Sequence, residues 1–92
     1  MRVIVKQSGS FKRAVKKMHK SEKVALDAAV KEISVHPEVG DAKVGDLTGI
    51  QVFKYKHNTQ LYLLAYEYME YELALTLIKQ GTYENFYWDL KQ

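Results

Sequence analysis

Two phenols and two ammonium groups are the residues of this chain best suited to chemistry. Tyr83 and Tyr87 stand four apart in the closing segment Gly81-Thr82-Tyr83-Glu84-Asn85-Phe86-Tyr87-Trp88-Asp89-Leu90-Lys91, so on a helix they share a face. A phenol stacks on a nucleobase, and it also donates or takes a proton. That pairing suits chemistry on single-stranded RNA; the same spacing equally suits two rings that cap a small hydrophobic core. A free phenol titrates at about pH 10, so work as a base near neutrality needs cationic neighbours, and Lys79 is a candidate. Lys54 and Lys56 alternate with aromatic residues, which puts them with Val52 on one face of a strand and Phe53, Tyr55 and His57 on the other. His57 and His36 have no second histidine or carboxylate at ligand spacing, so no metal site is expected. With no cysteine in the chain, disulfides and thiolate metal sites are excluded.

Charge is placed as unevenly as the aromatics. Net charge is +3, but Lys12, Arg13, Lys16, Lys17, Lys20 and Lys23 crowd one stretch, opposed there by Glu22 alone. Glu67, Glu70, Glu72, Glu84 and Asp89 fall in the last third. Such asymmetry suits a polyanion or an acidic protein partner, and a solvated helix face is the plainer reading.

These residues must be positioned by one small domain, because 92 residues with 47% hydrophobic content suffice for a single compact core. The first apolar stretch, Val3 to Val5, is too short for a signal peptide, and the longest, Leu61 to Tyr66, is too short to span a bilayer. A cytoplasmic protein without membrane contact is expected.

Residues 2–6 read as a strand. Ser10 can cap a helix over residues 11–19, where Phe11, Ala14, Val15 and Met18 make one apolar face. Ser21 can cap a second helix, whose Val24, Ala25, Ala28, Ala29 and Ile33 suit close packing on the first, and His36-Pro37 ends it. The short connection makes the pair an antiparallel hairpin. A polar loop with Gly40, Gly45 and Gly49 follows. Strands are expected at 50–57, 61–68 (buried on both faces) and 72–79, closing an antiparallel meander, and a short helix at 83–91. The fold class is α+β in the order β-α-α-β-β-β.

At this point the chain resembles the RelE/ParE superfamily of bacterial toxins from type II toxin–antitoxin systems. The resemblance rests on the hairpin opening Phe11-Lys12-Arg13-Ala14-Val15-Lys16-Lys17, the loop Lys43-Val44-Gly45-Asp46-Leu47-Thr48-Gly49, the strand Tyr62-Leu63-Leu64-Ala65-Tyr66-Glu67 and the tail from Gly81 to Lys91. It covers essentially the whole chain, and the Gly-Asp-Leu-x-Gly loop together with Glu-Asn-Phe-Tyr-x-Asp-Leu-Lys is similar to the ParE-like branch.

The resemblance implies one of three activities. RelE-like members cut mRNA in the ribosomal A site without metal or cofactor, by attack of the ribose 2′-hydroxyl on the adjacent phosphate. ParE-like members are similar to inhibitors of DNA gyrase and have no hydrolytic site. A degenerate member keeps only its antitoxin-binding role. For cleavage, the resemblance implies phosphate binding and charge stabilisation by Lys54 and Lys56, base stacking by Tyr87, and an acid–base role for Tyr83, where relatives keep a histidine. It implies RNA contacts at Lys43, Lys79 and Lys91, and an acidic antitoxin segment, encoded by an adjacent gene, on Lys12, Lys16 and Lys20. Glu67 reads either as a general base or as a salt-bridge partner of Lys54 or Lys56. The chain departs from the cleaving pattern in the central strand Tyr62-Leu63-Leu64, with leucine where an arginine is common, at Glu67, an acid where relatives often carry a base, and at Trp88, where the ParE-like string often has arginine.

Overall fold

A computed structural model describes residues 4–42, 49–69 and 74–83. Its elements are β1 (Ile4–Gln7), α1 (Gly9–Lys16), α2 (Lys20–Val35), a single 3-10 turn (Pro37–Val39), β2 (Asp41–Ala42), β3 (Gln51–His57), β4 (Gln60–Met69) and β5 (Ala74–Thr82). The strands form one sheet in the order β1-β5-β4-β3-β2. The α+β order expected from the sequence is present, with the small strand β2 added. The sheet is mixed rather than purely antiparallel, because β1 pairs in parallel with β5 in the register Ile4↔Ala74 to Gln7↔Leu77. The expected helix at 83–91 lies outside the described residues apart from Tyr83.

Alternation along the strands divides the apolar residues into two layers. On one face Phe11, Leu26, Ala29 and Ile33 of the helices meet Leu64, Tyr66, Leu75 and Leu77 of the sheet, with Phe53 and Tyr55 packed alongside. On the opposite face Val52, Leu63 and Ala65 form a smaller cluster with Ile50 and Ile78. β4 serves both layers, so four consecutive residues, Leu63 to Tyr66, are fully buried. That is the run without alternation that its sequence shows.

The helices sit side by side on the sheet, α1 over β5 and α2 over β3. Helix α1 starts two residues earlier than Ser10 implies. Ser8 is the N-cap, its Oγ accepting from the Phe11 amide at 3.1 Å and donating to the Ile78 carbonyl at 3.2 Å. At α2 the N-cap position is His19, which makes no side-chain cap bond, so the expected Ser21 cap is replaced. In α2 the sequence reading also misassigned a face: Leu26, Ala29 and Ile33 are buried, whereas Val24 and Ala28 are exposed. A helix with alanines around its circumference offers no clean stripe, and the bulkier Leu26 and Ile33 decide which side faces the sheet.

A polar lock joins the turn after α2 to the sheet. The buried Tyr66 hydroxyl donates to the Pro37 carbonyl and accepts from the Gly40 amide at 3.0 Å. Gln51 Nε2 donates to the Pro37 and Gly40 carbonyls at 3.2 and 3.3 Å. Gly40 has to be glycine here, because a Cβ would stand 2.6 Å from the Tyr66 hydroxyl. The lock fixes the approach to β2, which pairs with Gln51 and Val52 at the head of β3.

Candidate functional site

The site candidates lie on the sheet face that the helices leave uncovered. Phe53 and Tyr55 belong to the helix-side core, so Lys54 and Lys56 between them project from the other face, and both are exposed. The β3–β4 hairpin that carries them is closed by Asn58 and Thr59 at φ 49° and 67°, the left-handed geometry of a two-residue turn. The register then fixes their neighbours. Lys54 lies opposite Leu63 of β4, which lies opposite Gly81 of β5. Lys56 lies opposite Leu61, which with Thr59, Gln60 and Tyr83 lines a cleft of about 300 Å³. Tyr83 is half exposed, at 50%. Among the described residues, its chain neighbours apart, nothing stands within 4 Å of where a Gly81 side chain would begin.

A β-bulge shapes the third strand of this face. Ala65 pairs with Lys79 and Tyr66 with Leu77, so Ile78 is the extra residue. The bulge lets Ile78 join the cluster of Val52, Leu63 and Ala65 while Lys79 stays opposite Ala65 on the open face. Lys79 is four positions before Tyr83.

Glu67 is also exposed on this face, but at its far end. It pairs with Thr76, which pairs with Lys6 of β1, and it lies one residue beyond the β3 pairing of Gln51 with Tyr66. Four residues of strand, about 13 Å, separate Glu67 from Leu63, the partner of Lys54. The expected salt bridge from Glu67 to Lys54 or Lys56 is absent among the described residues, and the register keeps these side chains apart. The same register brings in Lys6, which the sequence reading did not single out. The signal for it is the β1–β5 pairing, invisible to local pattern.

His57 sits on the helix side, its ring tilted over Tyr62 at 6.1 Å between centroids, and Tyr62 stacks on Tyr55 at 5.7 Å. Burial pushes the Tyr55 phenol up to about 12, against the opposing hydrogen bond that Gln80 Nε2 donates to it at 2.8 Å. This phenol stays protonated and holds β3 to β5; it is not a base. His36 is exposed and lies 3.6 Å from Glu38. Lys12, Lys16 and Lys20 are exposed along the helix hairpin and have no carboxylate partner among the described residues. Tyr87, Lys43 and Lys91 lie outside the described residues.

An α-helical hairpin on one face of a small mixed sheet, with lysines on the face left open, defines a RelE-like toxin fold. The structure of the intact E. coli RelBE toxin–antitoxin complex matches with a TM-score of 0.70 at 15% identity, covering 86% of this chain and 94% of that one. An E. coli RelE mutant in the free state matches with a TM-score of 0.73 at 15% identity, over 92% of this chain and 87% of that one. The isolated E. coli RelE toxin matches with 0.70, again at 15% identity, over 97% and 96%. No curated protein sequence matches the chain. Residues 5–91 match the family described as ParE-like toxin of type II bacterial toxin–antitoxin system. The chain belongs to that family, and it is a toxin of a type II toxin–antitoxin system.

Proposed function

We propose that this toxin arrests growth by cutting ribosome-bound mRNA, without a metal, through attack of a ribose 2′-hydroxyl on the adjacent phosphate. The observation that carries this reading is the pairing of Lys54 and Lys56, both exposed, on the uncovered face, with Tyr83 at the far end of the row that contains Lys56 and Leu61. Two ammonium groups two residues apart span a phosphate and its neighbour, and they offset the extra charge that builds on the phosphorane-like transition state. Tyr83 stacks on a base or donates a proton to the leaving oxygen, and solvent takes the proton released by the attacking 2′-hydroxyl. Lys43, Lys91 and Tyr87 would extend the RNA contact. Glu67 is left out of the reacting set, because the register places it away from the lysines. The toxin acts in the cytoplasm in this reading. Its antitoxin, from an adjacent gene, lays an acidic segment on Lys12, Lys16 and Lys20 and holds it inactive.

One observation favours gyrase inhibition as a second reading. The matching family model is the ParE-like one, over residues 5–91, and the ParE-like branch is similar to inhibitors of DNA gyrase.

Induced expression with pulse labelling separates the two. Cleavage requires that protein synthesis stop first and that Lys54→Ala with Lys56→Ala restore growth while the protein still folds. Arrest of DNA synthesis first, with the double variant still toxic, would establish gyrase inhibition instead.

A further inference from the structure

Two residues beside Tyr83 are poor choices for the backbone they occupy. Thr59 is the second residue of the β3–β4 turn, at φ 67°. Such a turn prefers glycine there, because a branched side chain is strained at positive φ. Gly81 is the converse case. It lies within β5 and pairs with Leu63, where a glycine packs nothing and weakens the strand. The bulge is at Ile78, not here, and the φ of Gly81 is not positive. A strand glycine of this kind marks a place where a ligand or another backbone comes close. Local rules are broken in this way at functional sites.

Both positions adjoin one cleft. Thr59 lines the space of about 300 Å³ with Gln60, Leu61 and Tyr83. Gly81 precedes Tyr83 by two residues on the uncovered face, so the room left by its absent side chain, open among the described residues, lies next to the cleft. The volume is at the small end for ligand sites, which run from about 300 to 1,000 Å³. It suits one ring system, not a peptide strand or a duplex. Leu61 and the Tyr83 ring supply apolar surface. Thr59 and Gln60 carry a hydroxyl and a carboxamide, groups that both donate and accept. Across the sheet, Lys56 adjoins Leu61 and Lys54 adjoins Leu63. Two strand spacings, about 10 Å, separate Lys56 from Tyr83, which is the reach of one nucleotide from its phosphate to the edge of its base.

We propose that this cleft is the subsite for a single unstacked base of the RNA beside the cut. The base lies between Tyr83 and Leu61 with Thr59 and Gln60 at its hydrogen-bonding edge, the ribose passes over Gly81, and the phosphate meets Lys54 and Lys56. This rests on the reading of the toxin as an RNA-cleaving one, and it adds which residues select the base. Thr59 is kept for its hydroxyl despite the turn, and Gly81 for the room it leaves.

The test is a nuclear magnetic resonance titration of the isotope-labelled chain. The probes are RNA dinucleotides bearing each of the four bases, with a 2′-deoxy sugar at the attacking position so that they cannot be cut. The Thr59 and Gly81 amides should shift, and one base should bind best. Gly81→Val should melt no lower than wild type, since valine favours strands, yet weaken binding by at least about tenfold; Gly81→Ala should do so by less. Thr59→Gly should also melt no lower, because it relieves the turn, and should weaken binding about threefold. Gln60→Ala should even out the four bases, whereas Lys56→Ala should weaken all four alike. A Gly81→Val protein that melts lower would overturn the proposal, because the chain itself would then fill the slot. So would a Gly81→Val protein that binds as wild type does, or shifts confined to other parts of the chain. Toxicity is read separately. A wild type that binds in this pattern without stopping protein synthesis sinks the cleavage reading and leaves the subsite standing. A Gly81→Val protein that stops protein synthesis as fast as wild type sinks the subsite and leaves cleavage standing.

Discussion

Replacing Tyr66 by phenylalanine removes a single oxygen from the most enclosed polar cluster in the structure. Tyr66 is 0% exposed. Its hydroxyl is the acceptor for the Gly40 amide and a donor to the Pro37 carbonyl. The carbonyl keeps a second donor, Gln51 Nε2 at 3.2 Å, whereas the Gly40 amide loses its bond. The variant therefore buries one orphaned N–H, which costs about 1–3 kcal/mol. The space vacated is one atom, too small for a water to take over the bond. Taking about 2 kcal/mol and the entropy of unfolding for a domain of this size, the melting temperature should fall by about 8–16 °C. Differential scanning calorimetry or circular dichroism measures it directly. Adding Gln51→Leu removes the remaining donor to Pro37, so the double variant should lose more than the two single losses together. A Tyr66→Phe protein melting within about 2 °C of wild type would refute the argument, because the burial of the amide is what sets the cost.

Other perturbations test other parts of the structure. Ser8→Ala removes the α1 cap and the bond to Ile78, and should lower stability by about 1–2 kcal/mol in urea unfolding; an unchanged midpoint would mean that solvent or Ser10 replaces the cap. Leu63→Arg buries a guanidinium at a fully enclosed position, so it should cost roughly 3 kcal/mol or more; a variant as stable as wild type would contradict the packing described. Tyr55 titrates at about 12 when folded against about 10 when unfolded. The unfolded chain thus binds fewer protons in that interval, so stability is intact below about pH 10 and declines as pH rises toward 12. Tyr55→Phe should flatten that decline in urea midpoints taken across the alkaline range.

The strands were legible in the sequence because their signals are local. Alternation from Val52 to His57 placed Lys54 and Lys56 on one face, and the unbroken apolar run at 61–66 marked the doubly buried strand. What stayed hidden depends on partners distant in sequence. Ser8 and Ser10 are both competent caps, and Ser8 is the one that also reaches Ile78, seventy residues on. Glu67 looked close to the lysines until the hairpin register moved it down the sheet. Lys6 acquired a place on the open face only through β5. The outward turn of Val24 followed from competition between apolar sides of one helix, which composition alone does not resolve. For the site, Tyr83 and the two lysines were named from the sequence, but their common face is a property of the sheet.

The parallel pairing of Ile4–Gln7 with β5 has a temporal consequence. The first strand to be synthesised waits for one of the last, since Gln7 has no partner until Leu77 exists. Until then α1 has no sheet beneath it, because the strand it covers is also β5. Contacts so distant along the chain form late and slowly. A ribosome making this toxin therefore carries an unfinished, inert chain for most of the synthesis, and the folded toxin comes into being as a separate, later event.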